Sequence, residues 1–399
     1  MKYSRFFRVW TIAVILMIAL VIDTPVTVNA ERIILKVGPG HPYATIQDAV
    51  DDASPGSNIY VYPPLAPGPY YNESVSIKKN DLQIIAQGSG VIVIPTVGGD
   101  PSFGVYADHV VIRGFEMTGP SLSMGIKFEG SHNIFADNLI HPLPDSPDVN
   151  ALTSEDTGGS DYNIIENNTI YDAGFAIRMV APPDEDLNEG NIIRNNTIYD
   201  VVYGITVMNG NGFRISGNSI TSNQGGHGIQ IIADNNGDQG YHLITNNTLI
   251  DCLQEGIALY ADNNTTLRYN LILANEVHNA GGHGIYLYAD PDAKVENNSI
   301  SNNKVSDNAE AGIYLMSGAD QNSITKNSFM RNGSFGIAVS GNRNLFWDNT
   351  ALENGEFDHI DWGTNNIWIN NKYETAYLHP IFLPLIMLVQ PAEFEKVEP

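Results

Sequence analysis

The feature that most constrains what this chain of 399 residues can fold into is a repeat. A Gly-Ile or Gly-Val pair recurs at Gly104, Gly125, Gly204, Gly228, Gly256, Gly284, Gly312 and Gly336, and the last six starts are 24, 28, 28, 28 and 24 residues apart. A second series is interleaved with it, an Asn followed by one residue and then usually Ile or Leu. Its members are Asn138, Asn168, Asn196, Asn218, Asn247, Asn270, Asn298, Asn327, Asn349 and Asn371. Periods of this length mark architectures in which one short unit is stacked on the next. Each unit reads as short strands between Asn, Asp, Gly and Ser turns. In the stretch 256–260, Ile257 and Leu259 fall on one side and Ala258 and Tyr260 on the other, because side chains alternate along a strand. Helical spacing is absent through the repeats, and hairpin signals are too few for a sandwich or propeller. One unit cannot bury its apolar side alone, whereas units coiled on one another bury a continuous column of Ile, Leu and Val. Successive coils then lie roughly 4.8 Å apart, and Asn side chains in the turns bond to their equivalents above and below.

Both ends of the chain differ from the repeats. Lys2, Arg5 and Arg8 precede an apolar stretch from Val9 to Ile22, and Val28-Asn29-Ala30 has the small-residue pattern of a cleavage site. Residues 1–30 are therefore expected to be a signal peptide, which places the protein outside the cytoplasm, secreted, extracellular or periplasmic. At the other end, 372–399 reads as a tail or cap. Its apolar run from Ile381 to Val389 contains Pro384 and is too short to span a membrane. A capping strand and a sorting or partner-binding tail both remain open for it. The segments 141–161 and 181–190 are rich in Pro, Asp and Glu and read as loops leaving the coil.

Charge narrows the partners. With 20 Lys+Arg against 45 Asp+Glu the chain carries a net charge of −25. Nucleic acid and anionic membranes are bound mainly through Lys and Arg, so neither is an expected partner, and no membrane association is expected once the signal is removed. Neutral glycans and divalent cations suit such a surface better than polyuronates do. The only cysteine, Cys252, lies in an apolar segment and reads as a core residue.

The stack opens with its own signal. The segment 43–53 reads as a short amphipathic helix, stopped by Ser54-Pro55-Gly56 and followed by a strand over 58–62. A helix there would cover the exposed first strand edge. The runs Lys36-Val37-Gly38-Pro39-Gly40, Ala44-Thr45-Ile46-Gln47-Asp48-Ala49-Val50 and Gly56-Ser57-Asn58-Ile59-Tyr60-Val61 resemble the N-terminal cap and first turn of pectin-lyase-like β-helix proteins. The Gly-Ile and Asn-x-Ile repeats resemble the parallel β-helix repeats of the same superfamily. This resemblance implies an all-β chain, a single right-handed parallel β-helix over 31–371 with its N-terminal cap at about 34–62. The superfamily includes pectinesterases, polygalacturonases, polysaccharide lyases, uronan epimerases and non-catalytic periplasmic relatives, so it fixes a fold and no single activity.

Stacking makes residues at one offset from each Gly spatial neighbours. Immediately before the Gly the column reads Tyr203, His227, Glu255, His283, Ala311 and Phe335. At outward offsets of two and four lie Gln230, Tyr260, Tyr286, Tyr288, Tyr314 and Met316, and at six lie Asp234, Asp262 and Asp290. Glu255 between His227 and His283 is the candidate acid/base, with the two imidazoles as electrostatic partners. Gln230, Tyr260, Tyr286, Tyr288 and Tyr314 are the candidate substrate platform, since Tyr offers an apolar face and a polar tip. The pattern requires no cofactor. Asp234, Asp262 and Asp290 would repel one another without a cation, and Ca²⁺ is the one their oxygens suit. The same residues also fit a plain charge ladder and turn-shaping aspartates.

Gly282-His283-Gly284-Ile285 resembles the Gly-His-Gly motif of polygalacturonases, and Gly226-His227-Gly228-Ile229 repeats it. The resemblance departs from that family elsewhere. Gln254-Glu255 takes the place of an Asp-Asp pair, His227 that of the first Asp, and Tyr314 and Met316 those of the Arg and Lys. An acid and a base carboxylate are needed for inverting hydrolysis, and only Glu255 qualifies. The lyase alternative would use Arg178, expected to stack near Lys127. Arg194 with Glu166, and Arg268 with Glu296, read as charge pairs between neighbouring turns. Two functional readings follow. One is an exported β-helix that binds a polysaccharide or cell-surface glycan across 204–316, with cleavage there left open. The other is a non-catalytic surface or periplasmic scaffold.

Overall fold

A computed structural model describes residues 32–65, 70–96, 98–120, 122–142, 149–154, 159–183, 186–234 and 237–378. The signal-peptide segment, the apolar run 381–389 and the centres of the two expected loops lie outside the described residues. From Ile34 onward the chain coils through three long parallel sheets of 14, 13 and 12 strands, with a fourth of five strands inserted midway. We call them sheets A, C, B and D respectively. One complete turn runs Leu243–Thr245 in sheet A, Thr248–Cys252 in B, Ile257–Ala261 in C and Thr265–Arg268 in D, and returns to A at Leu271–Leu273. Every strand pair is parallel and in register with the next turn, as in Ile257↔Ile285 and Leu259↔Leu287.

The inward columns are the apolar positions expected from alternation. In sheet C, Ile205, Ile229, Ile257, Ile285 and Ile313 form one column and Val207, Ile231, Leu259, Leu287 and Leu315 the next, all buried. Each such side chain contributes about 1.5–3 kcal/mol through removal from water. Cys252 also faces the core, and burial, with Asp251 beside it, pushes its thiol up to about 12.

The recurring Gly has a steric cause. A Cβ on Gly256 would stand 2.3 Å from Val277 Cγ1 and 2.7 Å from the Gly284 carbonyl oxygen, and one on Gly284 would meet Gly312 in the same way. At these turns the backbones approach one another too closely at the entry to sheet C for a side chain, whereas Ala151, Ala176 and Asp358 hold the same position on other turns. Gly104 does not belong to this column. It pairs with Lys127, two positions on, whereas Phe103 pairs with Ile126. Ser102, Ala151 and Ala176 hold the column's position in the early turns, so a count of Gly passes over them. For the same reason Thr153 stands between Lys127 and Arg178, which are two turns apart.

The Asn series resolves into two ladders. One runs Asn138, Asn168, Asn196, Asn218, Asn247, Asn275, Asn303, Asn327, Asn349 and Asn371, each Nδ2 donating to the next Oδ1 at 2.9–3.1 Å. Asn270 and Asn298 belong instead to the other, which continues through Asn322 and Asn344. Val rather than Ile follows Asn275 and Asn303, and this is why the sequence pattern crossed from one ladder to the other. In the second ladder His242 occupies an Asn position: its Nδ1 accepts from Phe213 N at 3.2 Å. Complete burial pulls His242 down to about 3.

Among the described residues there is one short helix, Ile46–Asp52, which lies between the first two strands of sheet A, Ile34–Val37 and Asn58–Val61. Thr45 Oγ1 accepts from Asp48 N at 3.1 Å, and both oxygens of Glu73 accept from Ile46 N and Gln47 N at 2.9 Å. A carboxylate from the first turn of the coil thus satisfies the donors left open at the helix start.

Candidate functional site

The outer side of sheet C gathers the residues singled out by offset. Tyr203, His227, Glu255 and His283 follow on consecutive turns, as the pairings of their strands require. Each turn is fixed from within by its inward Ile and Leu, so the outward positions inherit the regularity of the core. Parallel strands place equal offsets one spacing apart, roughly 4.8 Å.

The three central residues do not act as one symmetric unit. Glu255 Oε2 lies 2.8 Å from His227 Nδ1, and both side chains are largely buried. His283 instead places Nε2 2.9 Å from Glu310 Oε2, while its Nδ1 accepts from Ala311 N at 3.2 Å. An Nδ1 that accepts carries no proton, so the hydrogen of His283 sits on Nε2, towards Glu310. Burial, outweighing Glu310 and Glu255, pulls the His283 imidazole down and agrees with a neutral ring. For Glu255, burial pushes the carboxyl up. The hydrogen bond and charge of His227 outweigh burial and hold the carboxyl below its ordinary value. Glu255 therefore rests as a carboxylate, fit to accept a proton or a sugar hydroxyl rather than to donate a proton.

Aromatic rings surround this pair. His227 stands 5.5 Å from Tyr260, Tyr260 lies 5.9 Å from Tyr286 and 5.6 Å from Tyr288, and Tyr286 lies 5.8 Å from Tyr314. Tyr314 continues to Trp362 at 6.5 Å, and Trp362 to Phe335 at 5.8 Å. Beneath them Ala258 is fully buried although its strand position faces outward. Gln230 is buried too and donates from Nε2 to Thr206 Oγ1 at 2.8 Å. Tyr286 OH donates to Met316 Sδ at 2.6 Å and Tyr288 OH to Asp290 Oδ1 at 2.6 Å. Burial, with nearby carboxylates and neighbouring tyrosines, pushes the Tyr260 and Tyr286 hydroxyls up, so both remain protonated donors.

Glu310, Trp362 and Thr206 belong to this surface and were missed by the sequence reading. Thr206 has the right offset from Gly204 and was legible. Glu310 sits two residues before its Gly, outside the column read. Trp362 lies in a turn where Asp358 replaces the Gly that anchors the count: a Cβ on Gly336 would meet Asp358 O at 2.5 Å.

The three candidate cation ligands lie in a line along the coil. Asp234, Asp262 and Asp290 follow on consecutive turns, and Asp262 is pushed up by burial and by Asp290, Asp234 and Asp292. They form a ladder rather than a cage, since parallel stacking spaces equal offsets apart instead of converging them. Asp234 accepts from Asn263 Nδ2, and Asp290 is taken by Tyr288. Among the described residues no group of three or more His, Cys, Asp or Glu side chains is placed to hold a metal ion. The expected Arg268–Glu296 pair is also replaced, since Arg268 pairs with Asp238 on the preceding turn. Arg194 does donate to Glu166, from Nε at 2.7 Å.

Comparison with known proteins agrees with this architecture. Residues 70–241 match the family model described as right handed beta helix region, and residues 184–378 match that of periplasmic copper-binding protein (NosD). No curated protein sequence matches the chain. Among solved structures, the periplasmic alginate epimerase AlgG has a TM-score of 0.54 at 14% identity, over 84% of this chain and 83% of that one. The A-module of the mannuronan C-5 epimerase AlgE4 from Azotobacter vinelandii gives 0.54 at 13% identity, over 84% and 94%. Tailspike protein 3 of bacteriophage CBA120 gives 0.60 at 10% identity, over 87% and 61%. At these identities the likeness is one of fold. Copper is not matched by the described donors: Cys252 is buried with its thiol pushed up, and His227 and His283 lie two turns apart, each beside a carboxylate. The chain is a right-handed parallel β-helix.

Proposed function

We propose that this protein binds a polysaccharide along the outer side of sheet C, from Thr206 to Trp362, and does so outside the cytoplasm. The observation that carries the reading is the unbroken run of part-exposed rings from Tyr260 to Trp362 with the His227–Glu255 pair beside it. Sugar rings stack their C–H faces on such platforms, and a carboxylate among them takes hydroxyl hydrogens. The alginate epimerases and the tailspike of the same fold lend support, as does the periplasmic family model over 184–378. The helix Ile46–Asp52, with Ile46, Ala49 and Val50 buried, serves in this reading to close the first edge of the stack.

Cleavage is the finer reading, and one contact favours it. Glu255 and Glu310 stand on the turns either side of His283, so the surface offers a second carboxylate that the sequence column lacked. Glu255 would act as the base, with His227 and His283 setting its charge. The test is a panel of neutral and acidic polysaccharides, read by affinity and by release of reducing ends or unsaturated products. Binding that falls in Tyr286→Ala supports the platform. Product formed by the wild type and lost in Glu255→Gln supports cleavage. Silence across the panel with folded protein leaves the scaffold reading.

A further inference from the structure

A second column of the stack, at the corner leading into sheet A, has a feature that the sheet C surface does not explain. Each turn passes this corner through one residue in the left-handed region: His109, His132, Tyr162, Gly190, Gly212, Tyr241 and Tyr269, with φ between 54° and 65°. Backbone bonds confirm that the levels are consecutive: Tyr162 N donates to Glu189 O, Gly190 N to Asn211 O, Gly212 N to Gly240 O and Tyr241 N to Arg268 O.

Left-handed backbone is cheap for Gly and Asn and costs a bulky aromatic residue roughly 1–2 kcal/mol. Asn297, Gln321, Arg343 and Asn365 fill later levels of the same column, none of them aromatic. Earlier levels carry aromatic rings instead. His109 stacks on His132 at 5.0 Å and His132 on Tyr162 at 5.2 Å, while Tyr241 lies 5.3 Å from Tyr269. These tyrosines remain about half exposed, at 51%, 59% and 47% for Tyr162, Tyr241 and Tyr269, so burial does not offset the backbone cost.

The ring column is interrupted at two consecutive levels by glycine. Tyr162 leans over Gly190, where a Cβ would stand 2.5 Å from its ring. At Gly212 a Cβ would meet nothing closer than the Gly190 nitrogen at 3.9 Å. The result is a slot of 370 Å³ lined by Tyr162, Glu189, Gly190, Asn211, Gly212 and Tyr241. The slot is open to solvent rather than enclosed, so a sugar in it would be gripped on its two faces and left exposed at its edge. Asn211 is held in place by accepting from Gly240 N at 2.9 Å.

We propose that this slot is a second glycan site, independent of the sheet C surface, which takes one neutral pyranose unit of an oligosaccharide between Tyr162 and Tyr241. The two rings supply faces for the sugar's C–H groups, and the Glu189 carboxylate and Asn211 amide supply partners for its hydroxyls. Glu189, on a chain of net charge −25, disfavours uronates and sulfated sugars by like-charge repulsion.

The test titrates neutral tetrasaccharides of glucose and mannose, with a uronate tetrasaccharide as the charged control, into the whole protein by calorimetry and saturation-transfer NMR. Gly212→Tyr is the decisive variant. Its backbone conformation is one that Tyr162 and Tyr241 already adopt, its Cβ meets no close atom, and its ring would fill the slot. It should weaken neutral-sugar binding about tenfold or more with the circular dichroism and Tm unchanged. Tyr241→Ala, which empties one wall, should weaken it comparably. Both are also measured in a Tyr286→Ala, Tyr314→Ala background, which removes the sheet C platform. Binding that survives in that background and falls with Gly212→Tyr sustains the proposal. Complete loss of binding in that background, no binding of any neutral tetrasaccharide, or affinity untouched by both slot variants overturns it. The first of those outcomes would leave the sheet C reading intact.

Discussion

The interior corners of the coil and the outer surface of sheet C are built by the same turns but obey opposite rules. At the corners, one Asn after another makes the same bonds, and the inward columns hold Ile, Leu and Val with little variation. On the outer surface the residue before the Gly changes at every turn, from Tyr203 to His227, Glu255, His283 and Ala311. Stacking makes each interior group both donor and acceptor for its neighbours, so any departure is felt on two turns. Outward side chains carry no such obligation, and variation there is free to become chemistry. A functional surface in a solenoid is therefore sought where the repeat is kept in backbone and abandoned in side chain.

Variants can break this comparison, beginning with the largest effect. Gly256→Val should prevent folding or cost at least about 3 kcal/mol, because its Cβ would meet Val277 and the Gly284 carbonyl inside van der Waals distance. Loss of the cooperative thermal transition is the readout, and a variant as stable as wild type would refute the steric account. Asn247→Ala should cost about 2–4 kcal/mol in urea unfolding. It removes the acceptor of Asn218 N and Nδ2 and the donor to Ile215 O and Asn275 Oδ1.

His242, the interior departure from the Asn ladder, gives the comparison a pH axis. Its folded value of about 3 lies below the ordinary 6.5, so between these values the unfolded chain binds the extra proton. Stability is then full above about pH 6.5 and falls as the pH drops towards 3, by about 2 kcal/mol at pH 5. Equilibrium unfolding at several pH values should show this slope, and His242→Asn should flatten it. His359, pulled down to about 4 chiefly by burial, contributes in the same direction and remains in the variant. An unchanged slope in His242→Asn would remove His242 from the acid response.

The outer surface should behave in the reverse way. Tyr286→Ala is expected to change stability by less than about 1 kcal/mol while weakening glycan binding about tenfold. A stability loss as large as that of Asn247→Ala would mean that the ring is structural. Smallest of all should be the effect of a chelator. With the three aspartates in a ladder and no metal-holding group among the described residues, EDTA is expected to leave binding unchanged. A clear loss would return Asp234, Asp262 and Asp290 to a cation role.

The fold was readable because its cause is periodic. Gly at one offset, Ile and Leu at alternating offsets and Asn at the corners each answer a requirement that recurs on most turns, and recurrence is visible in a linear string. The column His227, Glu255 and His283 followed from the same arithmetic. What the string withheld was how those side chains choose partners. His227 takes Glu255, His283 turns away to Glu310, and Trp362 joins from a turn that lacks the marker Gly. The crossing between the two Asn ladders and the slip at Gly104 arise where the marker residue is replaced, by Val after Asn275 and Asn303 and by Ser102, Ala151 and Ala176 in the Gly column. Tyr162 and Tyr241 could not be paired from sequence at all. They are 79 positions apart, and only the levels held by Gly190 and Gly212 make the space between them a slot. Sequence alone determined the coil, because stacking energy depends on residue type at each offset. Tertiary structure decided the site, because side-chain pairing across turns depends on register and direction, which residue type does not carry.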